Sequence, residues 1–344
     1  MGKRGIALAA AAALVLALAG CAPEEEAPAA DGYAPPEEAR LTVYTSHKEE
    51  VWRPIVREFE ERTGIWVTVV EGGTAGLLER IDREMDAPVA DVMFGGGVES
   101  LWAYARCFTP YTCAEAEEID PQFRSPNDLW TPFSSLPVVL VYNTKLMGPR
   151  ELTGWRDLLR PRLKGRIAFA DPAESGSSYT ALATMILALG GSGEKTLAAF
   201  AENLDGVQAA GSGDVVAAVA DGSAWVGVTL EETALKRIAD GADMGLVYPA
   251  EGTVFTPDGG ALVAGAPHGE NAKRFLDFIA GADVQALVAG QLRRRSVRTD
   301  TAVDDLPALG ELALVDYDLD WAVDEREDIL MSWAALLGGE EGEP

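Results

Sequence analysis

Apolar and polar positions alternate in LTVYTS (41–46), as in a half-buried strand. The next stretch, SHKEEVWRPIVREFEERTG, spaces Val51, Trp52, Ile55, Val56 and Phe59 at i, i+1, i+4, i+5 and i+8. That is one face of a helix, which Ser46 can cap and Gly64 can end in a left-handed turn. IWVTVVE (65–71) reads as a strand. GGTAGLLERIDREM reads as a helix with Leu77, Leu78, Ile81 and Met85 inward, and ADVMFGGG (90–97) as a strand ending in glycines. Strand, helix, strand, helix, strand predicts a parallel sheet with helices on its faces. After a less regular zone at 103–135, SLPVVLVYNTKL (135–146) and GRIAFADP (165–172) are apolar strands. DPAESGSSYTALATMILALG (171–190) passes from a turn into a helix, with Leu182, Met185 and Ile186 on one side. Helices are predicted at 197–204 and 212–222, a strand running into a helix at 224–232, and two or three strands within 244–265. NAKRFLDFIAGADVQALVAG is helical, and Trp321, Ile329, Leu330 and Trp333 share a helical spacing near the C-terminus. No repeat and no transmembrane span is visible.

The first twenty residues stand apart from the fold. Lys3 and Arg4 precede a short apolar run, Ile6 to Leu18, as in a secretory signal. The LAGC that follows resembles a bacterial lipoprotein signal, which implies cleavage before Cys21 and lipidation there; an ordinary signal with a chance cysteine is the alternative. Residues 21–40, rich in Ala, Pro and Glu, have little to bury and read as a flexible acidic tether. Roughly 300 residues remain, enough for two domains or two lobes of one. The net charge of −27 excludes nucleic acid and anionic lipid head groups as electrostatic partners.

Cys107 and Cys113 lie close together in CFTPYTC. An exported chain meets an oxidising compartment, so a disulfide across this loop is expected, with two reduced thiols as the alternative. No histidine lies near them to suggest a metal site.

Four turns carry the same chemistry: TSHKE (45–49), EGGTAG (71–76), FGGGVES (94–100) and ESGSSY (174–179). Each puts Ser, Thr or Gly where a strand hands over to a helix. There, free N–H groups and the positive end of the helix dipole hold anions without a buried cation. In open α/β sheets ligands lie beyond the carboxyl ends of the strands. Candidate ligand residues are Ser46, His47, Thr74, Gly96, Ser175, Ser177 and Ser178. Plain capping explains any single turn, but three hydroxyls in SGSS exceed what one cap needs. Glu231, after an apolar strand, can accept from sugar hydroxyls or an ammonium group, or simply stabilise its own helix. Asp214 is open to the same two readings.

YTSHKE, ADVMFGGG, LKGRIAFADPAESGSS, VGVTLEE, VYPAEGTVFTPDGGAL, NAKRFLDFI and RRRSVR resemble periplasmic substrate-binding proteins of ABC importers. The branch they resemble includes ferric-ion and hexose-phosphate binders, and the resemblance covers essentially all of 41–344. It implies a two-lobed α/β fold of the type II periplasmic binding class, with a ligand cleft between the lobes. Projected here, residues 41–138 and 252–292 form lobe 1, 139–251 and 293–344 form lobe 2, and the hinge strands lie near 136–143 and 247–262. It implies a monomeric binding protein without catalysis, cofactor or metal. The protein would be anchored outside the cytoplasm by Cys21 and would deliver a sugar phosphate to permease and ATPase subunits.

Ferric binders of this family use a histidine, often a glutamate, and two adjacent tyrosines. His47 matches the histidine. The tyrosine pair would fall in VGVTLEET, which has no tyrosine, and the glutamate position falls within FGGG. An aminoalkylphosphonate, with Glu231 on the ammonium, or ferric iron with a bound anion are the alternatives within the class. An exported hydrolase using Ser177 and His47 is a remote one, with no G-x-S-x-G elbow and no acidic orienter for either histidine.

Overall fold

The computed structural model describes residues 35–148, 150–301 and 306–338. The signal (1–20), Cys21 and the tether through residue 34 lie outside the described residues. The end of the expected tether is structured. Glu37–Ala39 form a 3-10 turn and Arg40 opens the first strand. Asn271 holds this segment, donating its side-chain amide to the carbonyls of Glu38 (2.9 Å) and Arg40 (2.8 Å).

The chain begins with β1 (Arg40–Thr45), α1 (Glu49–Thr63), β2 (Trp66–Glu71), α2 (Thr74–Arg83), β3 (Val92–Gly97) and α3 (Val98–Ala103). β1 lies between β2 and β3, parallel to both, as the alternation predicts. α1 buries Val51, Ile55, Val56 and Phe59, and Gly64 ends it at φ +70°. Its start differs from expectation. The N-cap is Lys48, because the His47 N–H is already satisfied by Thr45 Oγ1 (3.1 Å) and the chain turns once before the helix begins. Ser46 is therefore not used as a cap.

Next come β4 (Thr131–Asn143), α4 (Trp155–Leu158), β5 (Ile167–Ala168), α5 (Gly176–Leu189), α6 (Gly193–Leu204), α7 (Ser212–Asp221), β6 (Val226–Leu230) and α8 (Glu231–Ala239). They are followed by β7 (Met244–Val247), β8 (Phe255–Leu262), α9 (Gly269–Ala280), α10 (Ala282–Gly290), β9 (Arg295–Ser296), α11 (Leu319–Asp324) and α12 (Arg326–Gly338). The main strand order is β2-β1-β3-β8-β4-β6-β5, with β7 and β9 also pairing β4.

β4 joins the two halves. Thr131–Pro137 pairs antiparallel with β8, and Val138–Tyr142 pairs antiparallel with β6. The change of partner falls at Pro137, which has no N–H to offer a ladder. The sheet is thus mixed: parallel within β2-β1-β3 and β5-β6, antiparallel where β4 and β8 cross between the halves. Each half has its own core. Phe59, Phe94, Phe133 and Phe275 pack in the first; Trp155, Phe169, Tyr179, Phe200 and Trp333 pack in the second. This is the expected two-lobed α/β architecture. β9 pairs Ser134 and Ser135, so residues 295–296, projected into the second lobe, run beside the first half of β4.

Candidate ligand-binding site

The ends of β1 and β3 form the first wall. Gly95 and Gly96 take φ of +107° and +87°, a left-handed conformation that glycine adopts without strain. They also admit neighbours that a side chain would expel. A Cβ on Gly95 would lie 2.8 Å from Ser46 Oγ and 3.1 Å from His47 Cδ2; one on Gly96 would lie 2.7 Å from Thr74 Cγ2. Ser46, His47, Thr74, Gly95 and Gly96 are therefore one cluster.

The His47 ring is buried against Phe94 (centroids 4.5 Å apart) and Phe133 (5.3 Å). Its Nε2 lies 3.7 Å from Asp258 Oδ2, too far for a hydrogen bond, and has no other partner among the described residues. Burial holds the imidazole well below its ordinary pKa, and the nearby Arg294 guanidinium adds to that, so His47 is neutral. Asp258 is held by Arg294 Nη1 (2.9 Å) and by the Ser134 N–H (2.8 Å) and hydroxyl (2.6 Å). Burial raises the Asp258 pKa, while Arg294 and Ser134 pull it back. The other arm of Arg294 reaches toward Glu232 at 4.0 Å. Ser134, Asp258 and Arg294 lie on the crossing strands or just before β9, where no turn signal marks them. The only sequence cue was the RRR of 293–295, a cluster of cations in an acidic chain.

The second wall is the start of α5. Ser175 is its N-cap. Ser175 Oγ lies 3.1 Å from Ser177 Oγ and accepts from Ser178 Oγ at 3.1 Å, so the three hydroxyls of SGSS form one cluster. One turn further on, Thr180 Oγ1 donates to Glu99 Oε1 at 2.9 Å. Glu99 follows Gly96 by three residues, so this bond brings the serine-bearing end of α5 to the glycine turn of the first wall.

Several expectations need correction. Glu231 is not open to a ligand. It is buried, Arg295 binds both its oxygens (2.8 and 2.9 Å), and Tyr248 donates to it as well. A carboxylate at the seam of two sheets needs such compensation, which its position at a strand end does not reveal. Asp214 lies exposed in the first turn of α7; no hydrogen bond or ion pair among the described residues joins it to the cluster. The Cys107–Cys113 disulfide is not formed in the structure. The two thiols face different apolar clusters: Cys107 packs with Leu78, Ile81 and Phe108, Cys113 with Ile119, Phe123 and Val297.

Two buried nitrogens of this cluster, His47 Nε2 and Arg294 Nε, have no hydrogen-bond partner among the described residues, although buried polar groups are ordinarily paired. Among the described residues no group of three or more His, Cys, Asp and Glu side chains is placed to hold a metal ion.

Residues 87–318 match the model of the bacterial extracellular solute-binding proteins, and the chain belongs to that family. It is 29% identical over 292 residues to iron uptake protein A1 of Synechocystis sp., covering 79% of each chain. It is 27% identical over 258 residues to a putative 2-aminoethylphosphonate-binding periplasmic protein of Salmonella paratyphi A, covering 72% of this chain and 74% of that one. Its fold is similar to that of the periplasmic binding protein AfuA from Actinobacillus pleuropneumoniae, solved with exogenous fructose-6-phosphate. The TM-score is 0.79 at 24% identity, over 87% of this chain and 99% of that one. The chain is a periplasmic substrate-binding component of an ABC importer. Its relatives are solute-binding transport proteins and not enzymes.

Proposed function

We propose that the cleft binds a compact phosphorylated solute, with a hexose phosphate as the best fit, and delivers it to permease and ATPase subunits. The observation that carries this is the connected cluster of Ser175, Ser177 and Ser178 at the start of a fourteen-residue helix whose first turn bears no charge. Neutral hydroxyls and free N–H groups at the positive end of a helix hold a phosphate, and they release it more readily than a buried lysine would. The opposite side offers donors and acceptors together: His47, Arg294, Asp258 and Glu232. That mixture suits sugar hydroxyls, each of which both donates and accepts.

The relatives' names include iron and 2-aminoethylphosphonate, so the choice rests on residues here. Against iron, the carboxylate nearest His47 already holds a guanidinium, and Tyr248 is committed to Glu231. A ferric ion placed there would face Arg294. Against an aminoalkylphosphonate held through Glu231, both oxygens of that acid are taken by Arg295.

The lobes divide in this reading where β4 changes partners, and they close on ligand as hinged periplasmic binders do. The protein acts as a monomer tethered by a lipid on Cys21; replacing Cys21 by Ser should release it from membranes.

Thermal melts test the ligand. Glucose 6-phosphate at a hundred times its dissociation constant should stabilise the fold by roughly 2.7 kcal/mol. Glucose alone should do little. Ser177→Ala with Ser178→Ala should abolish the phosphate-dependent part. A shift with ferric ion or with 2-aminoethylphosphonate, and none with any sugar phosphate, overturns the reading in favour of that ligand.

A further inference from the structure

Glu99 is a buried carboxylate that the proposed ligand contacts leave unused. It sits in the first turn of α3 with 5% of its surface exposed. One oxygen, Oε1, accepts from two hydroxyls that come from elsewhere in the chain: Thr180 on α5 (2.9 Å) and Tyr317 on the segment before α11 (3.0 Å). The other oxygen is packed over Gly97, where a Cβ would lie 2.7 Å from it. Both partners belong to the second core's side: α5 and Tyr317 pack against the cluster of Trp155, Phe169 and Trp333. α3 packs with the first sheet, beside Leu78 and Met93, and also meets α11, where Trp102 Nε1 donates to Asp320 Oδ1 at 2.9 Å.

We propose that Glu99 is a positioning residue, a clasp across the cleft that holds the serine-bearing end of α5 against the glycine turn of the first lobe. Packing alone does not explain a carboxylate here, since burying one is costly and an apolar side chain would fill the space without that cost. The two hydroxyls supply part of the compensation, and Thr180 supplies its share only when the lobes are together. Opening the cleft removes Thr180 and returns the acid to water. Burial raises the carboxyl's pKa, while the residue's own backbone N–H, the Thr180 and Tyr317 hydroxyls and the more distant charge of Arg326 act the other way. Thr180 Oγ1 also lies 3.1 Å from the carbonyl oxygen of Gly176, a second acceptor for its one proton, in the same helical turn that follows Ser175. The inference rests on the two-lobed fold and not on the identity of the ligand.

The test reads lobe separation directly in the ligand-free protein. Nitroxides on Lys48→Cys and Arg237→Cys, both exposed and on opposite lobes, report the distance across the cleft. Wild-type protein should show a mainly long distance with a measurable short-distance fraction, the closed population that the clasp supports. Glu99→Ala, Thr180→Val and Tyr317→Phe should each shift the open-to-closed ratio toward open by about tenfold, the worth of a hydrogen bond to a charged group. Glu99→Gln retains an acceptor oxygen for both hydroxyls and should keep the short-distance fraction, whereas Glu99→Leu, of similar size but with no acceptor, should open like Glu99→Ala; a merely space-filling role would predict that leucine keeps it. Circular dichroism confirms that each variant is folded; Thr180→Val keeps side-chain volume and covers the case in which Glu99→Ala fails to fold. Unchanged distances in folded Thr180→Val and Tyr317→Phe overturn the proposal. So does opening in Glu99→Gln as wide as in Glu99→Ala. Neither result bears on whether glucose 6-phosphate binds, which the melts decide separately.

Discussion

Arg295 and Glu231 form a two-pronged ion pair at the seam between the two halves of the molecule. Nε donates to Oε2 at 2.8 Å and Nη2 to Oε1 at 2.9 Å. Glu231 is the first residue of α8, at the end of β6, while Arg295 lies on β9 beside the first half of β4. The pair thus fastens the far half of the sheet to the strand that crosses between halves. Its side chains are 6% and 1% exposed.

Because the pair is buried, removing one member should be far more damaging than removing both. Arg295→Met leaves Glu231 in a dry place with only the Tyr248 hydroxyl as partner, at a cost of about 3–5 kcal/mol. Arg295→Met combined with Glu231→Leu should recover most of that loss. Urea denaturation of the two variants measures the difference. Equal destabilisation by the single and double changes would show that packing, and not charge, is what the pair supplies.

Gly96 should tolerate no side chain. Alanine there meets Thr74 Cγ2 at 2.7 Å and must adopt φ near +87°. The backbone strain alone amounts to about 1–2 kcal/mol. Gly96→Ala is expected to lower the melting temperature and to weaken glucose 6-phosphate binding. Gly76→Ala, inside α2 with open space around it, is the control and should stabilise by about 0.5–1 kcal/mol. Gly96→Ala behaving like Gly76→Ala would remove the case for a close-packed glycine turn.

The layers and the first wall of the site were legible because local rules govern them. Helical spacing gave the buried face of α1, and the strand-to-helix turns nominated His47, Gly96 and the SGSS serines for the candidate site. The floor was not legible. Asp258, Ser134 and Arg294 come from strands that cross between lobes, and their meeting depends on a register that no local pattern encodes. The partner of Glu231 was not legible for the same reason. Its partner is 64 residues away, and a carboxylate at a strand end looks alike whether it faces a ligand or an arginine. The cysteines, six residues apart, were close in sequence but aimed into separate cores.

Both of those thiols should therefore be found free. Burial raises the pKa of each, which slows reaction in the native state. Alkylation of unreduced protein should be slow when folded and complete at Cys107 and Cys113 after unfolding in guanidinium, read by peptide mass mapping. Recovery of a linked Cys107–Cys113 peptide pair would refute this.

His268 should make stability fall as pH rises. Its Nδ1 lies 2.8 Å from Asp91 Oδ2 and its Nε2 lies 3.2 Å from Glu37 Oε1. Burial pulls the imidazole down, but Asp91 and Glu37 outweigh it and hold the group above its ordinary value. A raised folded-state pKa means that the contribution is fully present below about 6.5, the unfolded value, and is lost as pH climbs through the folded one. Buried His47 has the opposite sign, so the comparison must be between wild type and His268→Gln. The difference in melting temperature should shrink from pH 5 to pH 9. A constant difference across that range would mean that the contact is not charge-dependent.

The last prediction concerns the C-terminal helix. α12 docks through Trp333, whose ring sits 5.8 Å from Phe169 and 5.7 Å from Phe200. The helix has few other buried side chains, with Ile329 the main one. Trp333→Ala should cost about 3–5 kcal/mol, the usual loss for a large buried aromatic. Trp333→Phe should cost much less. The indole N–H has no partner among the described residues, so removing it sacrifices no hydrogen bond there, and the remaining ring still meets both phenylalanines. Urea midpoints give the two costs, and amide exchange in 326–338 shows whether α12 detaches before the rest unfolds. Equal losses for alanine and phenylalanine would indicate that the indole nitrogen has a partner after all, and that α12 is held by polarity as much as by packing.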